Sequence, residues 1–270
     1  MENRKNMAGG QDAYLPIRYP VFGIPISASD MVGVVDAITR AAKERHPMGV
    51  SALAVHGLME AVRQNPMSSA VRRLDIVTPD GQPVRWALNL LHGANLADRV
   101  AGPNLMPALC RRAEAEGIGI YLFGSTDETC RKLVAALKRD YPNLRISGVQ
   151  PDRFREATEE EDRADIDRIN ASGAGIVFVG RGCPRQEYWV SAHRDQIDCP
   201  LIAVGAAFDF IAGNLTRAPE FLQRHGLEWT WRLVKEPRRL FWRYASTNTS
   251  FLLHLAAALA TGTKGRHQKA

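Results

Sequence analysis

Asp80 stands in the turn Thr78-Pro79-Asp80-Gly81, directly after the apolar run from Leu74 to Val77. A carboxylate at a strand end, between a proline and a glycine, can take a proton from a hydroxyl. The plainer use of such an Asp is to bond its own turn backbone, and taken alone that use is the commoner one. Four other turns have the make-up of a ligand edge: Val55-His56-Gly57, Gly124-Ser125-Thr126, Gly180-Arg181-Gly182 and Gly205-Ala206-Ala207. Glycine at a strand-to-helix turn admits a ligand to the backbone, and the helix N-terminus that follows offers N–H groups to an anion. Gly124 and Ser125 are expected on this ground to hold a phosphate, although each such turn by itself is ordinarily structural. Neither GxGxxG nor GxxxxGK[ST] occurs, so the nicotinamide-dinucleotide and P-loop fingerprints are not met.

Charge is the second chemical feature. From Ile211 to Ala270 there are ten Lys/Arg against three Asp/Glu, while the whole chain is only +6, so residues 1–210 are close to neutral. The excess is interleaved with Trp229, Trp231, Phe241 and Trp242. Such a segment can bind a diphosphate, an anionic membrane surface or nucleic acid. Asp165-Ile166-Asp167 has the DxD form that holds a divalent ion on a diphosphate, but it lies in the charge-rich helical run from Glu159 to Arg168. Side chains at i and i+2 do not share a helix face, so a solvated surface is expected there and no metal site. A diphosphate held without metal needs fixed cations, and the planar fork of arginine supplies two parallel hydrogen bonds to phosphate oxygens.

These groups need a scaffold, and the pattern of apolar runs provides one. Strands are predicted over Gly49–Val55, Leu74–Val77, Ile118–Phe123, Leu144–Val149, Gly175–Val179 and Leu201–Val204. Helices are predicted after the N-cap Ser29–Asp30, over Leu58–Val71, from Pro83 toward Leu91, and over Asp127–Arg139, Glu159–Ala171 and Pro184–Arg194. Strands alternating with helices make an α/β fold, a Rossmann-like, mostly parallel sheet with helices on both faces. Sheets of this kind take ligands beyond the carboxyl ends of their strands. Residues 1–15 read as a mobile tail, 16–215 as an α/β catalytic domain and 216–270 as a basic helical appendage, broken at Pro219 and Pro237 into two or three short helices.

The bulk numbers bound the setting. An apolar fraction of 45% is ordinary for a chain with a real core. Cys110, Cys130, Cys183 and Cys199 show no CxxC spacing, which argues against zinc and disulfides and for reduced thiols in a cytosolic protein. The first ten residues carry no apolar signal segment, and no run reaches the ~18–20 apolar residues that a spanning helix needs.

The turns combine with further motifs: Asp98-Arg99-Val100-Ala101-Gly102-Pro103-Asn104-Leu105, Cys183-Pro184-Arg185-Gln186-Glu187, Val204-Gly205-Ala206-Ala207-Phe208-Asp209-Phe210, Arg217-Ala218-Pro219 and Glu236-Pro237-Arg238-Arg239 with Arg243-Tyr244. In this combination the chain resembles the WecG/TagA/CpsF glycosyltransferases, family 26 of the glycosyltransferase classification, from about Val21 to Tyr244. The resemblance implies an inverting transferase that uses neither metal nor other cofactor. It implies transfer of a hexose or N-acetylhexosamine, such as N-acetylmannosamine or glucose, from a UDP-sugar to a monosaccharide on polyprenyl diphosphate in surface or exopolysaccharide biosynthesis. The setting it implies is cytoplasmic, peripheral on the inner face of the cell membrane, against an anionic membrane surface; a homo-oligomer is compatible with it.

By the same resemblance Asp80 is the base, and Arg232, Arg238, Arg239 and Arg243 serve the diphosphate and membrane attachment. Arg185 and Gln186 come near the nucleotide-sugar. Arg99, Gly102, Asn104, Gly180, Phe208 and Asp209 complete the expected substrate contacts. Two positions depart from the family pattern: His56 stands where many members have Asn, and Asn104 where many have Asp. His56 is read either as structural or as an acceptor or sugar contact. A noncatalytic membrane-surface scaffold is the alternative reading of the basic segment. Nucleic-acid binding leaves the Asp80 and Pro184-Arg185-Gln186-Glu187 turns without a purpose.

Overall fold

The computed structural model describes residues 15–235 and 237–261, without the side chains of Arg224, Arg232, Arg239, Leu240, Arg243 and Tyr244. The tail expected over 1–15 lies outside the described residues but for Leu15.

The chain opens with an antiparallel hairpin that the apolar pattern does not announce, β1 (Arg18–Val21) and β2 (Ile24–Ser27). Its two-residue turn places Phe22 at φ 52° and Gly23 at φ 82°, the positive-φ pair that matches strand twist. Next come α1 (Met31–Lys43), capped by Asp30 Oδ1 on the Gly33 N–H at 2.8 Å, and the wholly buried β3 (Met48–Leu53). Where one helix is predicted over Leu58–Val71 there are two, α2 (Val55–Arg63) and α3 (Asn65–Arg73). Gln64 between them is extended, at φ −125° and ψ 117°. Pro66 in the first turn of α3 is the reason: it lacks an N–H, and its ring would clash with the carbonyl four residues back.

Then follow β4 (Ile76–Pro79), α4 (Gln82–His92), α5 (Gly102–Glu116), β5 (Ile120–Gly124), α6 (Asp127–Asp140), β6 (Ile146–Gln150) and α7 (Glu159–Ala171). The core closes with β7 (Ile176–Gly180), α8 (Arg185–His193), β8 (Pro200–Ala203) and α9 (Ala207–Ile211). Six strands form one sheet in the order β4-β3-β8-β7-β5-β6, every neighbouring pair parallel. Val50, Ile76, Phe178 and Ile202 point to one face and Leu53, Val77, Val179 and Ala203 to the other, each into its own apolar cluster. Successive side chains of a strand point to opposite faces, so a sheet covered on both sides reads as continuous apolar runs.

The Asp165-Ile166-Asp167 segment lies on α7 as predicted, but its first carboxylate is not solvated. The Asp165 side chain is 2% exposed and bonded by Arg153 Nη2 at 2.9 Å and Arg168 Nη1 at 3.0 Å, whereas Asp167 is exposed. Two residues apart on a helix, the pair looks in different directions.

Beyond the sheet stand α10 (Glu220–Arg224), α11 (Glu228–Lys235) and α12 (Pro237–Ala260). Pro237 begins α12, where a missing N–H is not needed. At 24 residues α12 is longer than the short helices predicted, because its second half is docked: it packs on α2, with Phe251 buried against the Phe22 ring at 5.3 Å. Its first half leaves Phe241 and Trp242 exposed. Among the described residues no helix is long and apolar enough to cross a membrane.

Candidate active site

A cavity of about 830 Å³ opens at the carboxyl ends of β3, β4, β7 and β8. Asp80 lies in its wall, and its position follows from the chain around it. Gly81 adopts φ 111°, a value open to glycine, and lets the chain turn from β4 into α4. The segment after α4 returns to the end of β4: the Val100 N–H donates to the Pro79 carbonyl at 3.2 Å, and the Thr78 hydroxyl donates to the Val100 carbonyl at 2.8 Å. That pairing sets Arg99 and the head of α5 beside Asp80. The Gly102 N–H, in the first turn of α5, donates to Asp80 Oδ2 at 3.3 Å. A helix N-terminus favours negative charge, and the Asp80 carboxylate faces the head of α5. Gly102 is required because a Cβ there would stand 2.1 Å from the Val204 carbonyl oxygen.

Arg99 is the cation beside Asp80. Its side chain is 10% exposed and paired with Glu228 at the start of α11. Burial works against its charge, but the carboxylates of Glu228, Asp80 and Asp98 outweigh burial and push its pKa up. It is therefore held charged next to the carboxylate.

Glu187, in the cavity wall, is fully buried. Its Oε1 accepts from the Ser51 hydroxyl at 3.0 Å and from Gln186 Nε2 at 2.8 Å, and Gln186 Oε1 accepts from the Gly205 N–H at 3.3 Å. These bonds join β3, the head of α8 and the turn after β8. Burial is the largest influence on Glu187 and pushes its pKa up, toward the neutral acid. The native state thus keeps a proton that the unfolded chain releases in the usual carboxylate range, and stability falls as pH rises from that range through the folded pKa. Glu187→Gln has no such proton and retains an acceptor for both donors. Its thermal stability is expected to be flatter than the wild type's from about pH 5 to 8, as calorimetry can check. Equal slopes in the two proteins would remove the protonated acid.

Of the residues singled out in the sequence, Asp80, His56, Arg99, Gly180, Gln186, Phe208 and Asp209 share the wall of this cavity. Gly102 stands behind Asp80 as its donor. Asn104 lies in an adjoining hollow, where its Oδ1 accepts from Arg217. Gly124 and Ser125 are not in the wall: a Cβ at Gly124 would stand 2.7 Å from the backbone of Gly180, and the Ser125 carbonyl accepts from the Asp152 N–H at 2.8 Å. Arg185 is also outside it, paired with Asp152 at 3.0 Å. Arg238 is exposed and away from the wall; the side chains of Arg232, Arg239 and Arg243 lie outside the described residues. Sequence reasoning overlooked Arg217 and Trp229, which line the cavity, and the structural part of Glu187. Arg217-Ala218-Pro219, directly after the last sheet element, was the available signal for the first.

An open parallel sheet with an acidic and a basic side chain side by side at its carboxyl edge suits transfer of a group from a phosphorylated donor to a hydroxyl. A sequence profile of the glycosyl transferase WecG/TagA/CpsF family matches residues 19–265, and the chain belongs to that family. It is a glycosyltransferase. Over 182 residues it is 32% identical to an N-acetylglucosaminyldiphosphoundecaprenol N-acetyl-beta-D-mannosaminyltransferase of Bacillus spizizenii, an alignment that covers 67% of this chain and 68% of that protein.

Proposed function

We propose that the protein transfers a hexose or N-acetylhexosamine, with N-acetylmannosamine the first candidate, from a UDP-sugar to a monosaccharide on polyprenyl diphosphate. The reaction is a single displacement with inversion and takes place at the cytoplasmic face of the membrane during surface-polysaccharide assembly. The observation that carries this reading is the placement of Asp80 between the head of α5 and Arg99 in the cavity wall. Asp80 takes the proton of the acceptor hydroxyl as its oxygen attacks the anomeric carbon, and UDP leaves from the opposite side. Arg99 and Arg217, both in the wall, meet charge that grows on the departing diphosphate. Each well-placed donor to such charge contributes about 3 kcal/mol in the transition state. The named substrates of the Bacillus relative support the donor and acceptor classes. Exposed Phe241 and Trp242, with the basic residues around them, support attachment to an anionic surface.

The test is a panel of UDP-sugars with a short-chain lipid-diphosphate monosaccharide, read by mass spectrometry. A glycosylated lipid product with inverted anomeric configuration is expected, and absence of product across the panel would reject the reading. The guanidinium groups of Arg99 and Arg217 in the cavity wall support a diphosphate held without metal. Activity is accordingly expected to be unchanged by EDTA, and a loss that magnesium or manganese restores would count against the metal-free mechanism.

A further inference from the structure

We propose that the apolar arm of the cavity, between α4 and α12, seats the isoprenoid chain of the acceptor, so that the enzyme selects the lipid as well as the sugar. This rests on the reading above that the acceptor is lipid-linked. The cavity does not end at the polar groups around Asp80. Its wall continues over Trp86 and Leu90 of α4 and Phe251, Leu252 and Leu255 of α12.

On α4, Gln82, Trp86 and Leu90 recur every fourth residue and so lie along one helix face. Gln82, next to the Asp80 turn, is polar and donates to Asp98 Oδ1 at 3.1 Å. Trp86 and Leu90 carry the stripe outward as apolar side chains, 40% and 60% exposed. From Gln82 to Leu90 the stripe runs about 12 Å at the rise of an α-helix. Phe251, Leu252 and Leu255 form the matching stripe on α12, with Leu252 63% exposed. Single exposed leucines on a surface need no explanation, but exposed apolar groups that converge in one cavity mark a binding site.

The occupant follows from continuity and charge. An acceptor whose hydroxyl reaches Asp80 must lead its lipid out of the same cavity. The arm that α4 and α12 supply holds no charged side chain among its lining residues, whereas Arg99 and Arg217 belong to other segments of the wall. A wall without charge does not recruit a nucleotide or an acidic peptide, and it suits hydrocarbon. Exposed Phe241 and Trp242, on the same helix as Leu252, give the chain a route toward a bilayer.

The test compares two acceptors that carry the same sugar diphosphate, one on a single isoprene and one on undecaprenyl, in detergent micelles where bilayer attachment plays no part. Wild-type protein is expected to show a KM at least ~10-fold lower for the undecaprenyl acceptor, in line with burial of two or more leucine-sized contacts. Leu90→Glu and Leu252→Glu are expected to abolish that difference while the KM for the UDP-sugar and kcat with the single-isoprene acceptor stay at wild-type values. Both residues are largely exposed, so the folded state tolerates the change. Equal KM values for the two acceptors in the wild type, or an unchanged ratio in both variants, would overturn the proposal. So would an unchanged ratio accompanied by a smaller hydrodynamic size, which would make the arm an interface between two copies of the chain. If the wild type glycosylates neither acceptor, the lipid-linked reading itself falls, and the assignment of the apolar arm falls with it.

Discussion

Asp80→Ala lowers kcat/KM by about 10²- to 10⁴-fold, the usual contribution of a positioned general base, and leaves the Kd for UDP within about twofold. The loss is specific because the other carboxylates among the described residues of the wall are engaged or placed elsewhere, Glu228 being paired with Arg99. Glu187 is fully buried and pushed toward the neutral acid, and Asp209 stands on α9, beyond β8. Asp80→Asn is the sharper variant. It keeps an oxygen for the Gly102 N–H and so preserves the turn and the head of α5, while its amide cannot take a proton. Equal loss in the alanine and asparagine variants, with UDP affinity by calorimetry unmoved, assigns the role of base. Turnover near the wild-type rate in Asp80→Asn would leave Asp80 a structural turn residue.

Gly102→Ala is the second large effect and acts on both fold and site. The added methyl would stand 2.1 Å from the Val204 carbonyl oxygen, and the obstacle is backbone rather than the end of a flexible side chain. The head of α5 has to withdraw from the end of β8. Overpacking of this kind costs about 1–3 kcal/mol, seen as a lower Tm. Withdrawal also takes the N–H away from Asp80, so activity falls further than the lost stability alone requires. The two readings together make the check, with activity measured well below the variant's own Tm. A variant with wild-type Tm would show that α5 has room to spare. One with lowered Tm but full activity would show that Asp80 does not depend on it.

Much of this arrangement is legible in the residues. The run from Leu74, the Pro79-Asp80-Gly81 turn and the repeated apolar segments define strands buried on both faces and place Asp80 at a carboxyl edge. The order of those strands is not written locally. Leu53, Asp80, Gly180 and Gly205 come together because β4, β3, β8 and β7 are neighbours, whereas β5 lies one strand further out. Gly124 and Ser125 carry the same turn chemistry as the cavity residues and yet stand outside the wall, because composition sets a turn and pairing sets where the turn is. The family resemblance puts Arg185 with Gln186 near the nucleotide-sugar, but the cavity wall holds only Gln186 of the two. Consecutive residues at the head of α8 face apart, one to Asp152 and one to Glu187. The hairpin escaped notice because its strands are four residues long and each contains a proline, Pro20 or Pro25. The break before α3 needed weight on Pro66, and the length of α12 needed the core surface on which it lies.

The pair formed by Arg99 and Glu228 ties the reaction edge of the sheet to the first residue of α11 with both partners largely screened from water. An anion that took the same Nη2 donor of Arg99 would compete with Glu228 for it. Ligand affinity and attachment of α11 are then two sides of one equilibrium: whatever factor the anion removes from the hold on α11, the docked helix removes from the affinity for the anion. Where an anion displaced Glu228 from Arg99, occupation of the cavity and the seating of α11 would be linked through that one carboxylate.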